Sequence, residues 1–192
     1  SLVWTSPLQL MFTRFVADRD YLRERDRILP NLLGAFALTS AGSAVLACGL
    51  SVLFRGETIV LRVLLGTAFV CACDVWMVVI VLASLRQHGA VLACFGAGYA
   101  TTAVACTLLA QRGLEGLLAG FALGQASLLF TGLIVSARCL PQSVRGGGIE
   151  LGFLRRGAMF PELGVAGLAF NLGCVADELV FWLDPGTSRQ VV

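Results

Sequence analysis

The sequence has no lysine, a single histidine and few charges of either sign: 14 arginines and 12 acidic residues make up 14% of its 192 residues. Soluble domains carry about 25% charged residues, so this composition excludes an ordinary soluble globular protein. His88 stands in a turn with no serine, cysteine or carboxylate beside it, which excludes a hydrolytic triad. The arginines are scattered over connecting segments rather than gathered with aromatics, and nucleic-acid binding has no support. The seven cysteines, Cys48, Cys71, Cys73, Cys94, Cys106, Cys139 and Cys174, form no CxxC pair and fall almost entirely within apolar runs. They read as small hydrophobes, and neither a metal site nor a cofactor is expected. Gly146-Gly147-Gly148 follows no strand and precedes no GK[ST], while Gly96-Ala97-Gly98 lacks the third glycine of a dinucleotide fingerprint. A phosphate-binding loop is therefore excluded at both places.

What the sequence has in abundance is hydrophobic length. Hydrophobic residues make up 57% of the chain, and the mean hydropathy is +0.85. Apolar runs cover Leu29 to Phe54, Thr58 to Leu85, Ala90 to Ala110, Leu114 to Ala137 and Leu163 to Leu183. Each can span about 30 Å of hydrocarbon as a helix. They are spread over the chain rather than confined to one leader-like stretch, so they belong to the protein itself. The expected fold class is an all-α polytopic membrane protein. Leu2 to Phe12 is too short to cross alone and reads as the tail of a helix. With Ser1 first and Val192 soon after the turn-like Asp184-Pro185-Gly186-Thr187, the chain reads as a fragment.

Alternate connecting segments divide the basic charge unequally. One set holds Arg14, Arg19, Arg23, Arg25, Arg27, Arg86, Arg138, Arg145, Arg155 and Arg156; the other holds Arg55, Arg112 and Arg189, with Arg62 at a helix end. The positive-inside rule makes the first set cytoplasmic. Arg55-Gly56-Glu57 and Gln111-Arg112-Gly113 are connections short enough to force antiparallel hairpins. Cys139 to Phe160 is longer, carries Pro141 and the glycine run, and is the candidate linker between two bundles.

Within the spans a few residues stand out. Gly113, Gly116, Gly120, Gly124, Ser127 and Thr131 keep to one helix face for about five turns. Such a face admits close approach of a second helix, either as a static contact or as a sliding seam. Asp74 lies near the middle of its span, where a carboxylate costs about 2.5–3.5 kcal/mol and so faces protein or water. Thr67, Cys71 and Val78 share its face, consistent with a hydrated cavity in which proton coupling is chemically possible; a structural hydrogen bond to a neighbouring helix is the other reading. In the last span Asp177 and Glu178 point about 100° apart. Asn171 shares a face with Glu178, and Asp177 with Phe170 and Gly173, while Phe181 and Trp182 fit an interfacial anchor. The segment Asp18 to Arg27 mixes signs densely, as a solvated, internally paired face or as a docking surface for a cytosolic partner through Arg14, Asp18, Arg19, Arg23 and Arg25.

Three ordered motifs resemble the PelG family of exopolysaccharide exporters, within the MOP flippase superfamily. The first is Phe12-Thr13-Arg14-Phe15-Val16-Ala17-Asp18-Arg19, similar to T-R-[YF]-x-x-D-R, followed by Ile28-Leu29-Pro30. The second is Phe160-Pro161-Glu162-Leu163. The third is Phe170-Asn171-Leu172-Gly173 with Asp177, Phe181-Trp182 and Pro185, similar to Y-N-L-G-x-W-x-D-K-x-x-F-W; it departs at Val175 and Glu178, where the family carries Trp and a basic residue.

The resemblance implies a MOP/MATE-like bundle in which this chain supplies about the second to seventh helices of a twelve-helix transporter. Residues 1–140 would form most of the N-terminal lobe, 141–160 a cytoplasmic inter-lobe linker, and 161–192 the incomplete first helix of the C-terminal lobe. It further implies a multi-pass protein of the bacterial inner membrane. Alternating access would there pass an amino-sugar-rich polymer, with a cytosolic glycosyltransferase and membrane subunits of a Pel-type complex as partners. Asp74, Asn171, Asp177 and Glu178 are the candidates for lining the path, Asn171 and Asp177 on motif matches. The competing class is a membrane scaffold anchoring a polysaccharide synthase, in which the arginine-rich segment matters and Asp74 does not. An intramembrane enzyme would need paired catalytic residues at matching depth, and none are evident.

Overall fold

A computed structural model describes residues 2–54, 56–140, 148–155 and 160–183, and all regular structure among them is helical. The helices are α1 (Leu2–Tyr21), α2 (Ile28–Ser51), α3 (Ile59–Ser84), α4 (His88–Leu109), α5 (Gly113–Cys139) and α6 (Pro161–Leu183), with 3-10 turns at Arg25–Arg27, Ala110–Arg112 and Gly152–Leu154. The stretches Arg25–Ser51, Ile59–Ser84 and His88–Cys139 are each long and apolar enough to cross a membrane. The last is 52 residues long and folds back on itself at Gly113. The chain is an all-α polytopic membrane protein, and its helix boundaries follow the apolar runs. Arg55, Pro141, Arg145, Gly146, Gly147, Arg156, Arg189 and the turn at 184–187 lie outside the described residues.

Hydroxyls are tolerated inside these apolar helices because the backbone takes them in. Thr39 Oγ1 donates to the Ala35 carbonyl, Ser43 Oγ to Thr39, Thr67 Oγ1 to Val63 and Thr101 Oγ1 to Ala97, each four residues back. At the start of α3, Thr58 Oγ1 accepts from the Leu61 amide at 3.2 Å and donates to Glu115 Oε1 at 2.5 Å, tying α3 to the first turn of α5. At their other ends α1 and α3 close alike. Arg23 and Arg86 sit at φ 58°, and the flanking amides return Glu24 N–H to Arg19 O, Arg23 N–H to Asp20 O, Gln87 N–H to Leu82 O and Arg86 N–H to Ala83 O. These are Schellman closures with arginine where glycine is usual.

Two structural findings modify the sequence reading. The first helix does not stop near Phe12: it continues to Tyr21 through the charged segment, because Phe12, Phe15 and Val16 bury one face while Arg14 pairs with Asp18 across one turn on the other. A β-carbon at Gly113, counted among the packing glycines, would meet no neighbour; at φ 64°, its amide donating to the Ala110 carbonyl, it makes the turn between α4 and α5 instead.

Two apolar clusters hold the bundle. One joins Phe12, Phe15 and Val16 of α1, Ile28, Leu32 and Ala35 of α2, Met77 and Val81 of α3, Leu140 and Phe153 at the arginine-rich end. The other joins Val75, Val78 and Leu82 of α3 to Cys94 of α4 and Leu128 and Leu129 of α5. The α4–α5 hairpin is closed by the glycine stripe. A β-carbon at Gly116 would overlap the Leu109 carbonyl oxygen, one at Gly120 would stand 2.6 Å from the Cys106 nitrogen, and one at Gly124 would overlap Thr102 Oγ1. Gly98 approaches Leu128 in the same way, whereas Gly96 faces open space. Ser127 Oγ and Thr101 Oγ1, 3.2 Å apart, continue the seam.

Since overpacking a tight contact costs about 1–3 kcal/mol, Gly124→Leu is expected to lower the thermal midpoint of the detergent-solubilised protein by several degrees. Gly96→Leu should leave it unchanged, and equal melting of the two variants would refute the seam.

Candidate functional site

Asp74 is held between α2 and α3. It is 2% exposed, and Ser40 Oγ of α2 donates to its Oδ2 at 2.6 Å. Its Oδ1 is buried with no hydrogen-bond partner. The expected neighbours Thr67 and Cys71 lie up to two turns toward the start of α3 and line a cleft there; Asp74 itself is not among that cleft's walls. The arrangement is thus one satisfied and one unfilled carboxylate oxygen inside protein, a costly state for a group in a membrane span. An acceptor of this kind can take one further hydrogen bond.

Asn171 lies on α6, where its Nδ2 donates to the Gly167 carbonyl at 3.2 Å. This fixes the amide and leaves its oxygen without a partner among the described residues. Asp177 and Glu178 belong to the same helix, but their side chains, like those of Phe181 and Trp182, lie outside the described residues. Helix α6 packs chiefly on α1: a β-carbon at Gly167 would stand 2.7 Å from the Ser6 carbonyl oxygen, and Gly164 faces Pro7 and Met11. Asp74 and Asn171 therefore sit on two helices that share α1 as a neighbour.

The arginine-rich turn is closely paired within itself. Arg14 reaches Asp18 at 3.1 Å, Arg25 reaches Asp20 at 2.5 Å, and Arg19 pairs with Glu24, which also lies 3.6 Å from Arg27. Arg19 additionally covers the Phe15 ring, 5.2 Å from its centroid. Of the docking candidates, Arg23 has no ion-pair partner among the described residues.

A densely connected polar side chain is one that sequence reasoning passed over. Asn31, 1% exposed, stands in the first turn of α2. Its Oδ1 accepts from the amides of Gly152 at 2.6 Å and Phe153 at 3.3 Å, while its Nδ2 donates to the Arg27 carbonyl at 2.9 Å and to Glu150 Oε2 at 3.3 Å. Beside it the Glu150 amide donates to the Pro30 carbonyl at 3.1 Å. Gly34 leaves room for the Glu150 carbonyl, which a β-carbon there would strike. These bonds place Phe153, with no exposed surface, edge-on to Phe12 with ring centroids 5.2 Å apart and against Phe15 at 6.3 Å. The only hint in the sequence was an amide directly after Ile28-Leu29-Pro30 at the start of an apolar run.

Residues 1–192 match the family model PelG, whose description reads "Putative exopolysaccharide Exporter (EPS-E)". The chain belongs to the PelG family. No curated protein and no solved structure matches the chain. The fold brings the PelG-like motifs at the arginine-rich end together. Arg14 of the first motif lies over the ring of Phe160, which opens the second, at 5.7 Å from its centroid. Pro30 and the Phe12 and Phe15 rings meet the segment 150–154 that precedes it. Membership of this exporter family, with long apolar helices, makes the lipid bilayer and an exopolysaccharide the partners of the PelG chain.

Removing the Asn31 amide orphans two backbone donors, each costing about 1–3 kcal/mol when buried. Asn31→Ala should destabilise the bundle by about 2 kcal/mol or more and speed hydrogen exchange at Gly152 and Phe153 at least tenfold; unchanged exchange would mean that the segment is held by Phe153 packing alone.

Proposed function

We propose that this chain is the part of a PelG-type, MOP-like transporter that passes an amino-sugar-rich exopolysaccharide across the bacterial inner membrane by alternating access. The observation that carries the reading is the family match over residues 1–192. The intramembrane carboxylate of Asp74, with one oxygen unfilled, supports it, because an ionisable residue at that depth is costly to keep without a role. Asn171 adds an amide oxygen on α6 that has no partner among the described residues. Together with Asp177 and Glu178 these groups supply acceptors that can exchange hydrogen bonds with sugar hydroxyls and acetamido groups as a polymer passes. Such exchange needs no covalent step, so the chain is read as a transporter and not as an enzyme.

The two-lobe organisation follows from the same reading: residues 1–140 belong to one lobe, 141–160 to the connection and 161–192 to the first helix of the next. The packing of α6 chiefly on α1 is what an inter-lobe contact at that point would give. The first set of arginines faces the cytoplasm by the positive-inside rule. There Arg23, the docking candidate without an ion-pair partner among the described residues, is offered to a cytosolic glycosyltransferase or a membrane subunit of the complex.

The test is the location of labelled amino-sugar polymer in cells carrying the intact gene, a deletion, Asp74→Asn or Asp177→Asn. Export through this path predicts polymer made but trapped inside the deletion strain and both mutants. Loss of synthesis in the deletion, with normal secretion by both mutants, would replace the transporter with a scaffold for the synthase.

A further inference from the structure

Arg62 is the charge for which the export reading has no use. It stands one turn into α3, at the end of the bundle opposite the arginine-rich segment, and its Nε is buried with no hydrogen-bond partner. No ion pair involving Arg62 occurs among the described residues. Arg62 lines two neighbouring clefts between α2 and α3. The larger, about 430 Å³, runs along Ala47, Cys48, Val63, Gly66, Val70 and Cys71; the smaller, about 170 Å³, shares Arg62, Ala47, Ser51 and Gly66 with it and ends on Leu65 and Phe69. From Arg62 to Cys71 the larger cleft follows α3 for about 13 Å. Its edge residues Cys48, Val63 and Thr67 are exposed, so it opens sideways out of the described bundle.

Two features select the occupant. The cleft walls are almost wholly apolar, which suits a hydrocarbon chain. The mouth carries Arg62, which has no counter-charge among the described residues, and an arginine's fork of donors fits a phosphate diester. We propose that the α2–α3 cleft is a binding site for an anionic glycerophospholipid of the leaflet at that end, its phosphate on the Arg62 guanidinium and one acyl chain along Gly66 and Val70. Gly66 keeps the cleft open because a side chain there would project toward Ala47, whose β-carbon lies 3.6 Å from the position of an added β-carbon.

The experiment uses the complete polypeptide, delipidated in detergent and titrated with phosphatidylglycerol or phosphatidylcholine of identical chains, with retained lipid counted by native mass spectrometry. The wild type should hold phosphatidylglycerol about tenfold more tightly than phosphatidylcholine. Arg62→Gln should remove that preference, Arg62→Lys should keep most of it, and Gly66→Leu should lower retention of both lipids. Arg112→Gln, which removes an exposed charge at the same end, should behave as wild type, and the thermal midpoint of each variant reports whether it is folded. Equal retention of the two lipids by the wild type, or an undiminished preference in folded Arg62→Gln, would overturn the proposal. So would displacement of phosphatidylglycerol by millimolar inorganic phosphate, which would reduce the site to a free-anion contact. If the wild type retains neither lipid, another segment of the polypeptide fills the cleft and the proposal fails. None of these readouts depends on export, so they stand or fall apart from the transport reading.

Discussion

A single amide side chain sets the geometry of the arginine-rich end. Asn31 is saturated: its oxygen takes two backbone amides of the segment before α6, and its nitrogen gives one hydrogen to the Arg27 carbonyl just before its own helix and one to Glu150. A buried amide with every valence used is worth far more as a positioning device than as a source of net stability, because losing any partner leaves a desolvated group behind. Through that fixed point Phe153 is inserted among Phe12, Phe15, Ile28 and Met77, so α1, α2 and α3 share a core with a residue that lies beyond α5 in the chain. The start of α6 is thereby registered against the first three helices by local bonds rather than by the length of the connection.

The rest of the bundle obeys the rule that hydrocarbon offers no hydrogen bonds. The hydroxyls of Thr39, Ser43 and Thr101 are returned to carbonyls of their own helices, and α4 and α5 approach closely enough that three successive glycines leave no room for a methyl group. Against this background the unfilled oxygen of Asp74 and the unpartnered Nε of Arg62 stand apart, as do Ser136 Oγ and Arg19 Nε. Asp74 and Arg62 lie at different depths on α3: the carboxylate is enclosed by protein beside α2, and the guanidinium lines a cleft between α2 and α3 near the start of the helix.

Much of the architecture was legible in the sequence because hydrophobic length is a one-dimensional signal. The runs from Leu29, Thr58, Ala90, Leu114 and Leu163 became helices with nearly the same limits. Gly116, Gly120 and Gly124 fell on one contact face because their spacing is that of the helix itself. Gly113 escaped this logic: spacing cannot distinguish a packing glycine from one needed for a positive φ. The reach of α1 beyond Phe12 was hidden too, since its charged residues mask the buried Phe12, Phe15 and Val16 stripe. The role of Asn31 was illegible for a different reason, its partners being about 120 residues away. Asp74 could be singled out by depth, but its Ser40 partner required knowing which face of α2 meets α3.

The arginines that end α1 and α3 in the left-handed conformation carry a consequence for how such a chain becomes seated in a bilayer. Holding a residue with a β-carbon there costs about 1–2 kcal/mol, and glycine would avoid it. A cation at a helix carboxyl terminus recovers about 0.3–1 kcal/mol from the aligned peptide dipoles, so local energetics alone leave a deficit. What the substitution secures is that the residue reversing the backbone is also the one that resists translocation. On the membrane-length helix α3, Arg86 makes the point of chain reversal and the stop to membrane passage coincide in one residue, so a helix that slid one turn too far would have to drag a guanidinium into hydrocarbon and undo its own terminus in the same step.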